Sequence, residues 1–321
     1  MQYIMRIIVF IAACLCLGVA RVQADEFSYL PKEVQKTISN MPSGEKVRYL
    51  KAYSWENRYN RPIEAYSAAR CVVKLSKDLG DEPTRIEGYS YIGVINMHLE
   101  NYAVAMVFFV KARDLALKFG DEVELAYSYN NIGTIYLERC NFSSALKNTR
   151  KSFKLFSKLH DTLGIAYNYA LFSRIHLRMG NHDSAMYYGN KIVSLGQKIL
   201  NKEMVACGTV AKGEVYINEG KYEKALSLYL RAYDTAARIF GIDQKIAETY
   251  EKMGNYEKAT HYSYKYLEIS KKYDAIAPIY KALTGLNRII THGDALPDMY
   301  KSLFNSKDSI CDVLAKQKFE V

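Results

Sequence analysis

Residues 129–145 read Tyr129-Asn130-Asn131-Ile132-Gly133-Thr134-Ile135-Tyr136-Leu137-Glu138-Arg139-Cys140-Asn141-Phe142-Ser143-Ser144-Ala145. Tyr129, Ile132, Gly133, Tyr136 and Leu137 fall at the three-and-four spacing of one helix face. Cys140-Asn141 marks a turn, and Phe142 with Ala145 opens a second apolar stripe. The segment therefore predicts a helix, a tight turn and a second helix. Upstream and downstream stand Phe119-Gly120-Asp121-Glu122 and Leu159-His160-Asp161-Thr162, each a helix stop followed by an acidic or polar start.

The same frame recurs along the chain. A small residue stands at Ala65, Ala105, Ala145, Ala185, Ala225 and Ala259, in steps of 40, 40, 40, 40 and 34. Three residues before the last five comes a ring, at Tyr102, Phe142, His182, Tyr222 and Tyr256. The turn precedes it each time, as Glu100-Asn101, Cys140-Asn141, Gly180-Asn181, Gly220-Lys221 and Gly254-Asn255. Gly93, Gly133 and Gly213 are expected to let a first helix lie close to its partner, the alanines to let the second pack without a gap, and the large rings to fill what remains.

On Tyr129…Ile132-Gly133…Tyr136…Phe142…Ala145 and Tyr216…Gly220…Tyr222…Ala225…Tyr229…Ala232, the chain resembles the tetratricopeptide-repeat family over roughly residues 45–275. The resemblance implies an all-α fold, a right-handed superhelical solenoid of antiparallel helix pairs. The 40-residue step departs from that family's usual unit of about 34 residues, and resembles the stretched units of exported bacterial proteins. Six extra residues per unit mean about 9 Å more helix or a longer connection. The expected organisation is a leader over 1–24, a lead-in over 25–44, six helix pairs over 45–275 and capping helices over 276–321, with one helix over 275–290 and a more polar one over 296–319.

Met1 to Arg6 is a short n-region, Ile7 to Ala20 is apolar and Val22-Gln23-Ala24 offers small residues for cleavage, the pattern of a secretory signal peptide. The apolar run is shorter than the roughly 20 residues that cross a bilayer. The expected location is thus outside the cytoplasm, periplasmic or secreted. Ile11-Ala12-Ala13-Cys14 also resembles a lipoprotein cleavage box, which would leave Cys14 lipidated and the chain tethered to a membrane. A membrane span beyond Val321 is the other route to a tether, because the last segment resembles the lead-in to a coiled segment, a span and an output domain.

The formal charge of +10 would suit nucleic acid only if gathered on one face. Lysines alternate with acids, as in Lys221-Tyr222-Glu223-Lys224, so no nucleic-acid partner is expected. Cys71, Cys140, Cys207 and Cys311 are too widely spaced for a metal frame or a disulfide scaffold, and are expected as free, mostly buried thiols.

No glycine-rich phosphate loop, zinc motif or nucleophile elbow is present, so neither catalytic residues nor a cofactor nor a metal is expected. His176 and His182 are separated by a turn and lack a completing carboxylate. What the solenoid offers is a concave face lined by first helices, suited to a peptide or a partner's helix. Projecting the frame puts Tyr127, Asn130, Thr134, Tyr167, Arg174, Arg178, Glu214 and Asn218 there. An asparagine amide presents donor and acceptor together to a peptide backbone, and Arg174 with Arg178, one turn apart, suits a carboxylate. The family's lysine-and-asparagine carboxylate clamp is not matched, since Val94 stands where one asparagine would be. The functional expectation is a non-enzymatic protein- or peptide-binding scaffold in the cell envelope; the alternative is the ligand-sensing ectodomain of a truncated signalling or transcription regulator.

Overall fold

The computed structural model describes residues 26–236, 241–272 and 276–292. The expected leader with Cys14, the expected helix over 296–319 and Cys311 lie outside the described residues. After a 3-10 turn, Glu26–Tyr29, come α1 (Lys32–Ile38), α2 (Ser43–Asn57), α3 (Pro62–Leu79), α4 (Glu82–His98), α5 (Tyr102–Phe119), α6 (Glu122–Glu138) and α7 (Phe142–Lys158). They continue as α8 (Thr162–Arg178), α9 (His182–Lys198), α10 (Lys202–Asn218), α11 (Tyr222–Thr235), α12 (Ile242–Lys252), α13 (Tyr256–Lys272) and α14 (Ile276–His292). The described residues are thus an all-helical solenoid of six pairs, α2/α3 to α12/α13, with α14 laid on the last.

The 40-residue unit is resolved in its parts: two helices of 17 residues joined by connections of three, as in α6, α7, α8, α9 and α10. The extra length is in the helices. Connections this short are held by one repeated device. The Asp121 N–H donates to the Ala116 carbonyl and closes α5, while the Asp121 carboxylate accepts from the Glu124 N–H at 3.0 Å and starts α6. Asp81, Asn141, Asp161 and Asn201 do both jobs in the same way. The residue just before each swings to positive φ, at Gly80, Glu100, Gly120, Cys140, His160, Gly180, Leu200 and Gly220, so the chain reverses every 20 residues.

Packing follows the small-against-large pattern. Ala65, Ala105, Ala145, Ala185, Ala225 and Ala259 are all fully buried, at 0% exposure. A Cβ on Gly93 would stand 2.5 Å from the Phe109 ring and one on Gly213 2.4 Å from the Tyr229 ring, so each missing side chain is the room its partner ring occupies. Between units the same trade sets Gly164 against Phe156, where a Cβ would meet the ring at 2.2 Å. Burying a ring such as Phe109 or Phe156 contributes about 2–3 kcal/mol each, and the core is a string of such clusters down the stack.

First helices of neighbouring units touch directly, α2 to α4, α4 to α6, α6 to α8, α8 to α10 and α12 to α14, whereas second helices meet one another marginally at most. The stack therefore curves with the first helices inside. Their inner edges are linked by ion pairs from unit to unit: Lys51 with Glu87, Glu138 with Arg174 at 2.6 Å, Glu214 with Lys245, and Glu251 with Arg288 at 2.6 Å. Exposed pairs contribute about 0–1 kcal/mol each; their effect is to fix the register of adjacent first helices.

Candidate functional site: the concave face

The structure distributes the eight residues projected onto the concave face over three patches. Tyr127 and Tyr167, on α6 and α8, have ring centroids 6.5 Å apart, and Tyr127 also meets Phe156 edge-on at 4.9 Å. Burial, followed by Asp161, pushes the Tyr127 hydroxyl up to about 12. One and two turns further along α6 come Asn130 and Thr134. The Thr134 hydroxyl donates to the Asn130 carbonyl at 3.1 Å, and the Asn130 side-chain Nδ2 is buried without an acceptor.

Arg174 and Arg178 are exposed and do hold a carboxylate together, that of Glu138 from the preceding unit, at 2.6 and 3.7 Å. Arg178 also donates to the Cys140 thiol at 3.4 Å. An incoming acid here would share two guanidiniums with Glu138. The third patch is a cavity of about 160 Å³ lined by Glu214, Asn218, Tyr229, Lys245, Thr249 and Lys252. Glu214 is paired with Lys245, and the Asn218 amide nitrogen is used by its own helix, donating to the Glu214 carbonyl at 3.0 Å.

The first two units carry what the projection did not include. The Arg58 guanidinium lies 3.8 Å from the ring centroid of Trp55 and 4.4 Å from that of Tyr59. Trp55 is 42% and Tyr59 49% exposed, and the Tyr59 ring meets His98 at a tilt, with centroids 4.4 Å apart. His98 reaches solvent yet is walled in by protein, and that desolvation, reinforced by Arg58, lowers its imidazole to about 4. It is therefore neutral near pH 7. The Tyr167 hydroxyl is raised first by burial, with Cys207, Tyr59 and Asp161 adding to the rise and Arg58 opposing it.

A signal for this patch existed in the sequence. Arg178 and Asn218 are 40 residues apart, and the same step read backward passes through Glu138 and His98 to Arg58. The weak match of the first unit to the frame stopped the projection short of it. The thiols require a correction: Cys71 is buried, but Cys140 and Cys207 are exposed. Cys140 occupies the left-handed position of a connection, at φ 57°, and Cys207 lies on the open side of α10, whereas the expectation had placed cysteines in the core by residue type alone.

Among the described residues no group of three His, Cys, Asp or Glu side chains is placed to hold a metal ion, and no helix is long and apolar enough to cross a membrane.

The fold and face together define a helical-repeat protein with a curved, first-helix-lined groove. Residues 210–240 and 244–273 match two family models, both described as tetratricopeptide repeat, so the repeats of the last two units are tetratricopeptide repeats. No curated protein matches it in sequence. Among solved structures it is similar to a Rap protein complexed with competence and sporulation factor, at 16% identity and a TM-score of 0.66, covering 88% of this chain and 80% of that one. It is also similar to NprR in complex with its cognate peptide NprX, at 15% identity and a TM-score of 0.61, covering 94% and 89%. Aspartyl phosphate phosphatase F from Bacillus subtilis superposes at 19% identity and a TM-score of 0.57, covering 72% of this chain, which spans 61% of the phosphatase's length. These superpositions show a shared solenoid fold and no more.

Proposed function

We propose that the chain is a non-enzymatic scaffold of the cell envelope that captures a peptide or an extended segment of a partner protein along its concave face. The observation that carries this is the direct stacking of first helices, which makes one continuous inner surface out of units one to five. That surface is studded with Tyr127, Tyr167, Arg174 and Arg178 rather than closed by apolar packing. Two of the similar structures contain a bound peptide or signalling factor by their descriptions, which supports a peptide-sized occupant. The envelope location is supported by the signal-peptide pattern of residues 1–24. A sensing role, in which occupancy is relayed to an output domain, is the second reading.

The test is capture from an envelope extract with the full chain as bait, beside the variant Arg174→Glu/Arg178→Glu, with bound proteins and peptides identified by mass spectrometry. Charge reversal places three acids together with Glu138, so partner capture is expected to fall below detection while the circular dichroism of the bait is unchanged. Equal capture by both baits would remove the groove from the function.

A further inference from the structure

We infer that Arg58, held between Trp55 and Tyr59, is the anchor for a carboxylate on a peptide, with an aromatic or aliphatic neighbour laid on the exposed rings. This rests on the groove reading above and assigns the chemistry of its occupant.

The charge balance of the patch points to an anion. Arg58 gives one hydrogen bond, from Nη1 to the Trp55 carbonyl, and its Nε is buried with no acceptor. It belongs to none of the ion pairs of the concave face, whereas Arg174 and Arg178 share Glu138, and Lys51 and Lys245 hold Glu87 and Glu214. Two acids bear on Tyr91, whose ring lies against Trp55, and both are engaged. Glu87 is taken by Lys51, and Glu124, which accepts from the Ser90 hydroxyl at 2.7 Å, is pushed up to about 7 by burial and is substantially protonated near neutral pH. His98 adds no charge. What is left is one uncompensated guanidinium, a fork of donors whose geometry matches a carboxylate.

The size of the patch, one guanidinium between two exposed rings, suits a carboxylate with one neighbouring side chain of a peptide. The exposed faces of Trp55 and Tyr59 beside the guanidinium supply apolar area for the residue next to the acid. A guanidinium already stacked on rings loses less rotamer freedom when it binds than a free one.

The experiment exploits the chain's one tryptophan, which is Trp55 itself. A random hexapeptide display library is selected on the full wild-type chain and on Arg58→Gln, and the enriched peptides are then titrated while Trp55 emission is followed. On the wild type, peptides with Asp, Glu or a free C-terminal carboxylate next to an aromatic or aliphatic residue are expected. They should shift Trp55 emission on binding and lose roughly tenfold or more in affinity when the acid becomes its amide. Arg58→Gln should abolish that preference, and Arg58→Lys, which keeps the charge without the fork, should restore part of it. Enrichment of neutral or basic peptides, equal acid preference on Arg58→Gln, acid-bearing peptides that leave Trp55 unmoved, or no enrichment would each overturn the anchor. The scaffold reading would then be judged separately, by the loss of captured partner in the Arg174/Arg178 variant.

Discussion

Units two to five and unit six are built from the same parts at different lengths. In the former, α6, α7, α8, α9 and α10 are all 17 residues long and the connections between these five have three. In unit six, α12 has only 11 residues, and the step between the framing alanines drops from 40 to 34. The difference shows where a repeat stores extra length. Lengthening a connection would break the shared cap that ends one helix and starts the next, whereas lengthening both helices together keeps every cap and adds one more layer of core.

The largest test of this contrast is core truncation at each end of it. Phe156→Ala, in the regular units, removes a ring at 0% exposure that fills the space over Gly164, and is expected to cost about 3–5 kcal/mol. Leu267→Ala, in α13, should cost about 2–5 kcal/mol, but its loss should appear as an early, separate transition, because unit six meets unit five without the direct first-helix contact that joins the regular units. Urea denaturation followed by circular dichroism distinguishes the two. A single transition of the same shape in both variants would erase the distinction between the regions.

A smaller effect is expected from the buried acids, one in each region. Glu124, on α6, is raised to about 7 by burial, with Glu87 and Asp121 adding to the rise and Ser90 and Lys51 opposing it. Asp243, on α12, is 3% exposed with Oδ1 unpartnered, and burial raises it against the opposing pull of Lys265 and His261. A carboxyl whose pKa is higher in the folded chain than in the unfolded one holds its proton more tightly when folded. Its contribution to stability is therefore full below the ordinary carboxylate range and is lost as pH rises through the folded value. For Glu124 the loss falls between about pH 4.5 and 7 and amounts to about 2 kcal/mol. Glu124→Gln should flatten the decline of Tm over that window. An identical pH profile in the variant would mean that the carboxyl is not desolvated.

The smallest effect concerns the connections. Gly180, Gly220 and Gly254 carry positive φ without strain, while Cys140 holds φ 57° with a side chain. Cys140→Gly is expected to stabilise the chain by about 0.5–1 kcal/mol, the residual cost of a left-handed L-residue after the entropy of glycine is subtracted. Thermal melting under reducing conditions measures it; a lower Tm would show that the Arg178 contact to the thiol matters more than the backbone.

Much of the fold was legible because its determinants are local. Helical spacing, the acidic or Asn residue after each stop, and alanine at a fixed step are readable one unit at a time, and they give the element order from α2 to α13. The cysteine expectation failed for the opposite reason, since whether Cys207 faces the groove or the core depends on how far α10 is rotated against its neighbours. The candidate residues were projected from the same frame, which placed Arg174 beside Arg178 but carried no information on Glu138 lying between them and a ligand.

By itself, then, the sequence determined the repeat: where the chain turns, which residues are small, and which face of each first helix lacks an apolar stripe. These follow from 3.6-residue periodicity and cap chemistry within about 40 residues. Only the tertiary structure decided the curvature, and with it the sharing of Glu138 by Arg174 and Arg178. Curvature is the sum of small rotations at every unit-to-unit interface, each set by which side chain fills the space beside which glycine, and no single repeat contains it.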